Sequence, residues 1–230
     1  MTRPSTHDGG DDAPVTDPAS MLHAVLLHGV RQPAALLECV QAFAAHAGGL
    51  VEGPSAVFVG DAVEKGQTSP DRRHDLSGAP LFLVLTPLAP DAEHAGVQRT
   101  AEPLVRCAAR AETWLLRERF ARRAARPAPP EAPWLQIVMM NVEPSIEGEF
   151  NDWYEHEHAA RIASVAPEFV SVQRMEAMVG APRHHALWRL TDRKAPERDP
   201  WLSASETPWT LRIRRFMRDR RRLLLAPLAA

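Results

Sequence analysis

The run AARPAPPEAP, Ala124 to Pro133, constrains this chain more than any other feature. Four of its last seven positions are proline. Each removes a backbone donor and fixes φ, so the segment is extended and no helix or central strand runs through it. It reads as a linker that divides the 230 residues into two parts of similar length. Residues 21–123 form an N-terminal unit, 124–133 the Pro-rich linker, and 134–230 a C-terminal unit. The preceding stretch 1–20, MTRPSTHDGGDDAPVTDPAS, is rich in turn formers and poor in apolar side chains, and is expected to be a disordered tail. The rest is apolar enough, at 45% hydrophobic overall, to bury a core.

The two parts repeat one element order. In the first, MLHAVLLHGV reads as a buried strand and PAALLECVQAFAAHA as a helix, with Leu36, Leu37, Val40 and Phe43 at helical spacing. PSAVFVGDAV and APLFLVLTPL follow as strands around the polar loop Glu64 to Gly78, and Glu93 to Arg123 reads as one long helix. In the second, PWLQIVMMNV is a strand, IEGEFNDWYEHEHAARIA a helix, and FVSVQRMEAM and HHALWRLTD two further strands. A repeated β-α-β-β pattern predicts an α+β fold of two tandem ferredoxin-like units, whose sheets bury their free faces against each other. No fourth strand is visible after the long helix of the first half, so that unit is incomplete unless a second copy completes it as a homodimer.

Chemistry concentrates in EFNDWYEHEH, residues 149–158. At about 100° per residue, Ile146, Phe150, Trp153 and Glu157 share a helix face, with Tyr154 and Arg161 flanking it and His158 at its edge. If that face is buried, Glu157 is paired, for example with Arg161, or protonated; otherwise the apolar stripe ends before it. His156 and His158 point away from each other on a helix and do not share a metal ion.

The run EFNDWYEHEHAARIASVAPEFVSVQR, ending at Arg174, resembles the EthD-like branch of the dimeric α+β barrel superfamily. That branch carries a pattern near E-F-N-x-W-Y-x-x-E-H, then P-G-F, then an Arg-bearing strand. TPWTLRIRRFMRDRRR, residues 207–222, resembles its closing segment. Ala160 and Glu168 stand where the family often has Pro and Gly. The resemblance implies a pseudo-dimeric α+β barrel with an interior ligand cleft. His158 matches the family histidine that can face the cleft, and Trp153 and Tyr154 match the aromatic pair of its wall.

A histidine titrating near neutral pH can shuttle a proton, and Tyr154, the only tyrosine, could donate to a developing enolate. Their bland alternatives are a helix-end cap for His158 and ordinary core packing for Tyr154. His158 and Tyr154 are thus the candidate catalytic pair. Trp153, Phe150, Glu157, Arg174, His184 and Trp188 are candidate substrate-binding residues. His184 is preferred to His185 because it shares the more apolar strand face with Trp188.

These residues point to a lyase or isomerase that cyclises or dehydrates a hydrophobic or aromatic carbonyl compound, without metal or cofactor. A non-catalytic binding barrel and a cofactor-free or haem-assisted oxygenase are the alternatives. The expected partner is a small hydrophobic or aromatic molecule. The net charge of −2 gives no global drive toward nucleic acid or anionic lipid. The arginines from Arg212 to Arg222 are expected to be a solvated face paired with acidic neighbours. Glycine-rich phosphate loops and G-x-S-x-G are absent from the sequence. Cys39 and Cys107 suggest neither a disulfide framework nor zinc. With no apolar leader and no apolar run long enough to span a bilayer, the expectation is a cytoplasmic chain without membrane contact.

Overall fold

The computed structural model describes residues 20–62, 80–90, 92, 94–125 and 132–228. The expected tail apart from Ser20, the whole polar loop from Glu64 to Gly78, and most of the linker lie outside them. The N-terminal unit runs β1 (Met21–Val30), α1 (Pro33–Ala47), β2 (Ala56–Ala62), β3 (Leu81–Leu88), α2 (His94–Arg106) and β4 (Ala108–Arg123). The C-terminal unit runs β5 (Trp134–Val142), α3 (Glu147–Asp152), a π-helical turn Trp153–His158, α4 (Ala159–Val165), β6 (Phe169–Val179), β7 (His184–Leu190), α5 (Asp199–Ser205), α6 (Pro208–Arg214) and β8 (Met217–Pro227).

The strands close into an antiparallel barrel ordered β1-β3-β2-β8-β5-β7-β6-β4. Each unit contributes four neighbouring strands in the same order, and the seams β2·β8 and β4·β6 join the units. This is the two-unit pseudo-dimeric α+β barrel expected from the repeat together with the resemblance of the C-terminal part. Gly60 permits one seam: a Cβ there would lie 2.1 Å from the Leu224 carbonyl oxygen on β8.

The N-terminal unit is complete, which corrects the reading of Glu93 to Arg123 as a single helix. The helix ends at Arg106, and Ala108 onward pairs with β1 on one side and β6 on the other. The residues LLRERFARR are good helix formers, but a strand that hydrogen-bonds on both edges overrides that preference. From Arg117 to Arg123 exposed and part-buried residues alternate, the period of a strand. No second copy is needed to close this barrel.

Three packed layers follow from the alternation of each strand. Leu26, Phe58, Leu83, Leu116, Ile137, Met139, Met175, Leu187 and Leu225 fill the barrel interior. Val25, Leu27, Phe82 and Val84 meet Leu36, Val40 and Phe43 of α1 and Leu104 of α2 outside the first sheet. Val138, Met140, Val172, Ala186 and Trp188 meet Phe150, Trp153, Ile162, Trp201 and Ile213 outside the second.

Cys39 of α1 and Cys107, just past α2, are joined as a disulfide. This corrects the reading that Cys39 and Cys107 suggest no disulfide: 68 residues separate them in sequence, but the packing of α1 on α2 brings them together. Because disulfides persist mainly in oxidising compartments, the cysteines no longer argue for a cytoplasmic location. Among the described residues no helix is long and apolar enough to cross a membrane.

Candidate functional site

The chain entering α3 turns normally through Phe150, but the next six residues of the site, WYEHEH, form a π-helical turn. In an α-helix residues five apart point about 140° away from each other. The wider π turn instead stacks the imidazole of His158 on the Trp153 indole, with centroids 4.5 Å apart and planes 23° from parallel. Tyr154 meets the same imidazole edge-on at 5.0 Å and Trp188 at 5.8 Å. Single π turns of this kind recur at functional sites. Helical spacing placed Glu157 on the apolar face and His158 at its edge; the π turn changes both. Glu157 accepts a hydrogen bond from Thr207 rather than an ion pair from Arg161.

Thr207 also caps α6, accepting from the Thr210 backbone N–H at 3.0 Å, and the Thr210 hydroxyl accepts the Trp153 indole N–H at 3.1 Å. These bonds hold α6 against the π turn and fix the stacked rings. Between them and the sheet lies a cavity of about 190 Å³. Trp153, Tyr154, His158, Trp188 and Trp201 line its aromatic side, and Gln136, Arg214, Arg220 and Arg222 its polar side. The cavity thus sits between sheet and helices on the outside of the second sheet. The expected cleft inside the barrel is replaced by packed side chains.

His158 Nδ1 is buried without a hydrogen-bond partner, and the ring borders the cavity. Burial, reinforced by the charges of Arg214, Arg220, Arg174 and Arg222, pushes the imidazole down to about 3, so it is neutral at physiological pH. Burial pushes the Tyr154 phenol up against the opposing charge of Arg174, so it remains a donor.

The remaining sequence candidates form a second layer behind Tyr154. Arg174, 1% exposed, lies over the rings of Tyr154 at 4.0 Å and Phe150 at 4.7 Å. Its Nη2 donates to Asn151 at 3.4 Å, while Nη1 is buried without a partner. His184 packs on Phe150 at 4.9 Å and does not line the cavity. It lies in a cluster with Glu147 and Glu176 whose ligand atoms fall within 4.8 Å of one another. Arg183 pairs with both carboxylates, Arg119 reaches Glu176, and Arg174 adds a third cation. A divalent cation would enter a site whose charge is already positive, so this cluster does not fit one.

Of the predicted residues, then, His158, Tyr154, Trp153 and Trp188 meet at the cavity, while Phe150, Arg174, His184 and Glu157 do not line it. Sequence reasoning missed Arg220, Arg222, Gln136 and Trp201. The basic run does pair with acids at Arg212 to Glu149, Arg214 to Glu206, Arg218 to Glu143 and Arg221 to Glu112. Arg220 and Arg222 depart from that expectation. Reading β8 as a strand, with alternate residues turned to one face, would have singled them out.

Comparison with solved structures agrees with this architecture. The chain is similar to an anthrone oxidase-like protein (10% identity, TM-score 0.57), covering 91% of this chain and 92% of that one. It is also similar to a putative monooxygenase from Fusobacterium nucleatum (8%, 0.53; 92% and 93% covered). A cyanide complex of a mutant chlorite dismutase from Candidatus Nitrospira defluvii aligns as well (8%, 0.51; 92% and 91% covered). At these identities the likeness is one of fold. No family model matches the chain, and no curated protein matches its sequence.

Proposed function

We propose that the chain is a small-molecule enzyme of the EthD-like branch that moves a proton on a compact aromatic or hydrophobic carbonyl compound. Its reaction is of the lyase or isomerase type, a cyclisation or dehydration. The reading is carried by one observation: a neutral histidine with no hydrogen-bond partner borders a cavity walled by Trp153, Tyr154 and Trp188. A buried histidine that served only packing would be expected to satisfy its ring nitrogens.

In the mechanism the His158 imidazole removes a proton from the carbon next to the substrate carbonyl, and the protonated ring returns it at the site of bond cleavage or rearrangement. Tyr154 O–H donates to the developing enolate oxygen, and the indoles sandwich the substrate and exclude water. A base held near 3 is weak in the empty site, because burial and the arginines both oppose its charge. A substrate that offsets those arginine charges raises its basicity at the moment of use.

An oxygenase is the second reading, favoured by the fold likeness to the anthrone oxidase-like protein. It shares the first step, deprotonation by His158, and differs in consuming dioxygen. The test is exchange of the acidic α-protons of benzoylacetate and of 1-phenyl-1,3-butanedione in deuterated water, followed by NMR with and without air. The protein accelerates exchange above buffer, and His158→Gln lowers the rate by roughly 10²-fold or more with the fold intact. Oxygen uptake in step with substrate loss selects the oxygenase. No acceleration, or full activity in His158→Gln, overturns both in favour of a binding barrel.

A further inference from the structure

Arg220 and Arg222 stand two residues apart on β8, so both side chains leave the same face of the strand and enter the cavity described above. Four other arginines nearby in the chain have carboxylate partners, and these two do not. Neither makes an ion pair or a side-chain hydrogen bond among the described residues. Arg214, the third guanidinium on the cavity wall, is already held by Glu206 at 3.0 Å and the Ser205 carbonyl at 3.1 Å. The cavity therefore carries three cations against one lining carboxylate, Glu206. Unpaired buried cations are costly unless something neutralises them.

From this geometry we infer that Arg220 and Arg222 form a carboxylate-binding subsite, and that the ligand of this cavity is a single-ring aromatic acid. The inference rests on the proposed function for the identity of the site and adds the class of its substrate. Arginine suits a planar carboxylate because its fork donates two parallel hydrogen bonds. The size fits as well: a cavity of about 150 Å³ accepts benzene, and this one has about 190 Å³, room for one ring and a short anionic arm. Trp153, Trp188 and Trp201 face the ring, and Gln136 lies on the same wall as the arginines. Burial holds Arg222 down to about 10, which still leaves it charged at neutral pH.

The test is equilibrium binding followed by tryptophan fluorescence, since three indoles line the cavity. Benzoate is compared with benzamide, its neutral isostere, and with inorganic phosphate. Benzoate binds at least about 10-fold tighter than benzamide, equivalent to about 1.4 kcal/mol, and the preference weakens with salt. Phosphate binds more weakly than benzoate. Arg222→Met and Arg220→Met each reduce the preference, their combination abolishes it, and Arg222→Lys keeps part of it. Equal binding of benzoate and benzamide overturns the inference, as does a preference that survives in the double variant. Tighter binding of phosphate also overturns it by moving the assignment to phosphorylated ligands. If the preference fails while exchange of the neutral diketone continues, only the subsite is lost; if exchange fails while the preference holds, only the proposed chemistry is lost.

Discussion

On β1, Met21 stands opposite Leu88, the last residue of β3; on β5, Trp134 stands opposite Leu190, the last of β7. Aligned on these ends, the two units correspond residue by residue. Val25 lies beside Thr113 of β4, and Val138 lies beside Arg222 of β8. His23 pairs with Thr86, and Gln136 with Trp188. One backbone therefore presents Thr113 and Thr86 to a layer packed with apolar side chains, and Arg222 and Trp188 to a cavity. The covering helix differs in the same way. α1 is an unbroken 15-residue helix, while its counterpart is interrupted by the π turn that stacks His158 on Trp153. Site chemistry entered one unit through a few side chains and a helical insertion, with the sheet unchanged.

The largest expected contrast is in acid stability. Burial, with nearby arginine charge, pushes His158, His184 and His185 of the second unit each down to about 3. Below about 6.5 the unfolded chain takes up protons that the folded one refuses, so stability falls with falling pH, until about pH 3, by about 1.4 kcal/mol per pH unit for each. Glu112 of the first unit behaves differently. Burial raises its carboxyl, but the hydrogen bond to His28 and the charge of Arg221 prevail and hold it at about 2. Its contribution is complete above about 4.5 and is lost only toward 2. From pH 7 to pH 5 the three histidines of the second unit therefore lose about 2 kcal/mol each, while Glu112 keeps nearly all of its contribution. Denaturant unfolding at both pH values measures the loss, and His185→Phe flattens the slope. An unchanged slope in that variant breaks the contrast.

Next come the paired positions Trp188 and Thr86. Trp188 is 1% exposed and touches Tyr154, His158, Phe169 and Trp201. Trp188→Ala costs about 3–5 kcal/mol. Thr86 is equally buried, but its hydroxyl meets only Ser55 at 2.7 Å, so Thr86→Val costs about 1 kcal/mol. Urea midpoints for both test whether the second layer is held by aromatic packing and the first is not. Equal losses would contradict that.

A smaller effect separates the units by covalent support. The Cys39–Cys107 bond closes a long loop within the first unit, and replacing both cysteines by serine lowers stability by about 2–4 kcal/mol. Benzoate binding in the second unit is unaffected. A loss of binding on reduction would show the two layers to be coupled through the barrel.

Which parts were legible in the sequence follows from the range of each signal. Strand alternation and the Pro-rich run are local, and they sufficed for two tandem units; the closed barrel was implied by the resemblance of residues 149–174 and 207–222. β4 escaped because its helix-forming residues become a strand only through pairing with β1 and β6. Trp153, Tyr154 and His158 were found as candidates, but their stacking was not, because a π turn leaves no periodic trace that a 3.6-residue rule can detect. Arg220 and Arg222 looked like their paired neighbours; only the fold shows which arginines find carboxylates. The Cys39–Cys107 bond depends on helix packing across 68 residues, a distance over which spacing says nothing.

The smallest predicted change has the sharpest meaning, because it tests a register position at which the first unit carries a neutral side chain and the second a charge. Arg222 stands where the first unit has Thr113, and it is partly buried without a carboxylate partner among the described residues. Arg222→Met keeps an apolar stem and removes a charge that has no ion-pair partner among the described residues and that burial and the neighbouring Arg220 disfavour. The empty protein should therefore gain stability, by about 1 kcal/mol or less, while its preference for benzoate over benzamide shrinks. Opposite movement of stability and binding is the signature of a charge kept for a ligand. A structural arginine would lose stability on replacement, and binding would fall only as the fold did. Thermal unfolding of Arg222→Met with and without benzoate separates the two: the unaltered protein is stabilised strongly by the ligand and the variant weakly, from a higher starting point. If the variant instead starts lower, Arg222 serves the fold of the second unit, and its contrast with Thr113 is one of packing alone.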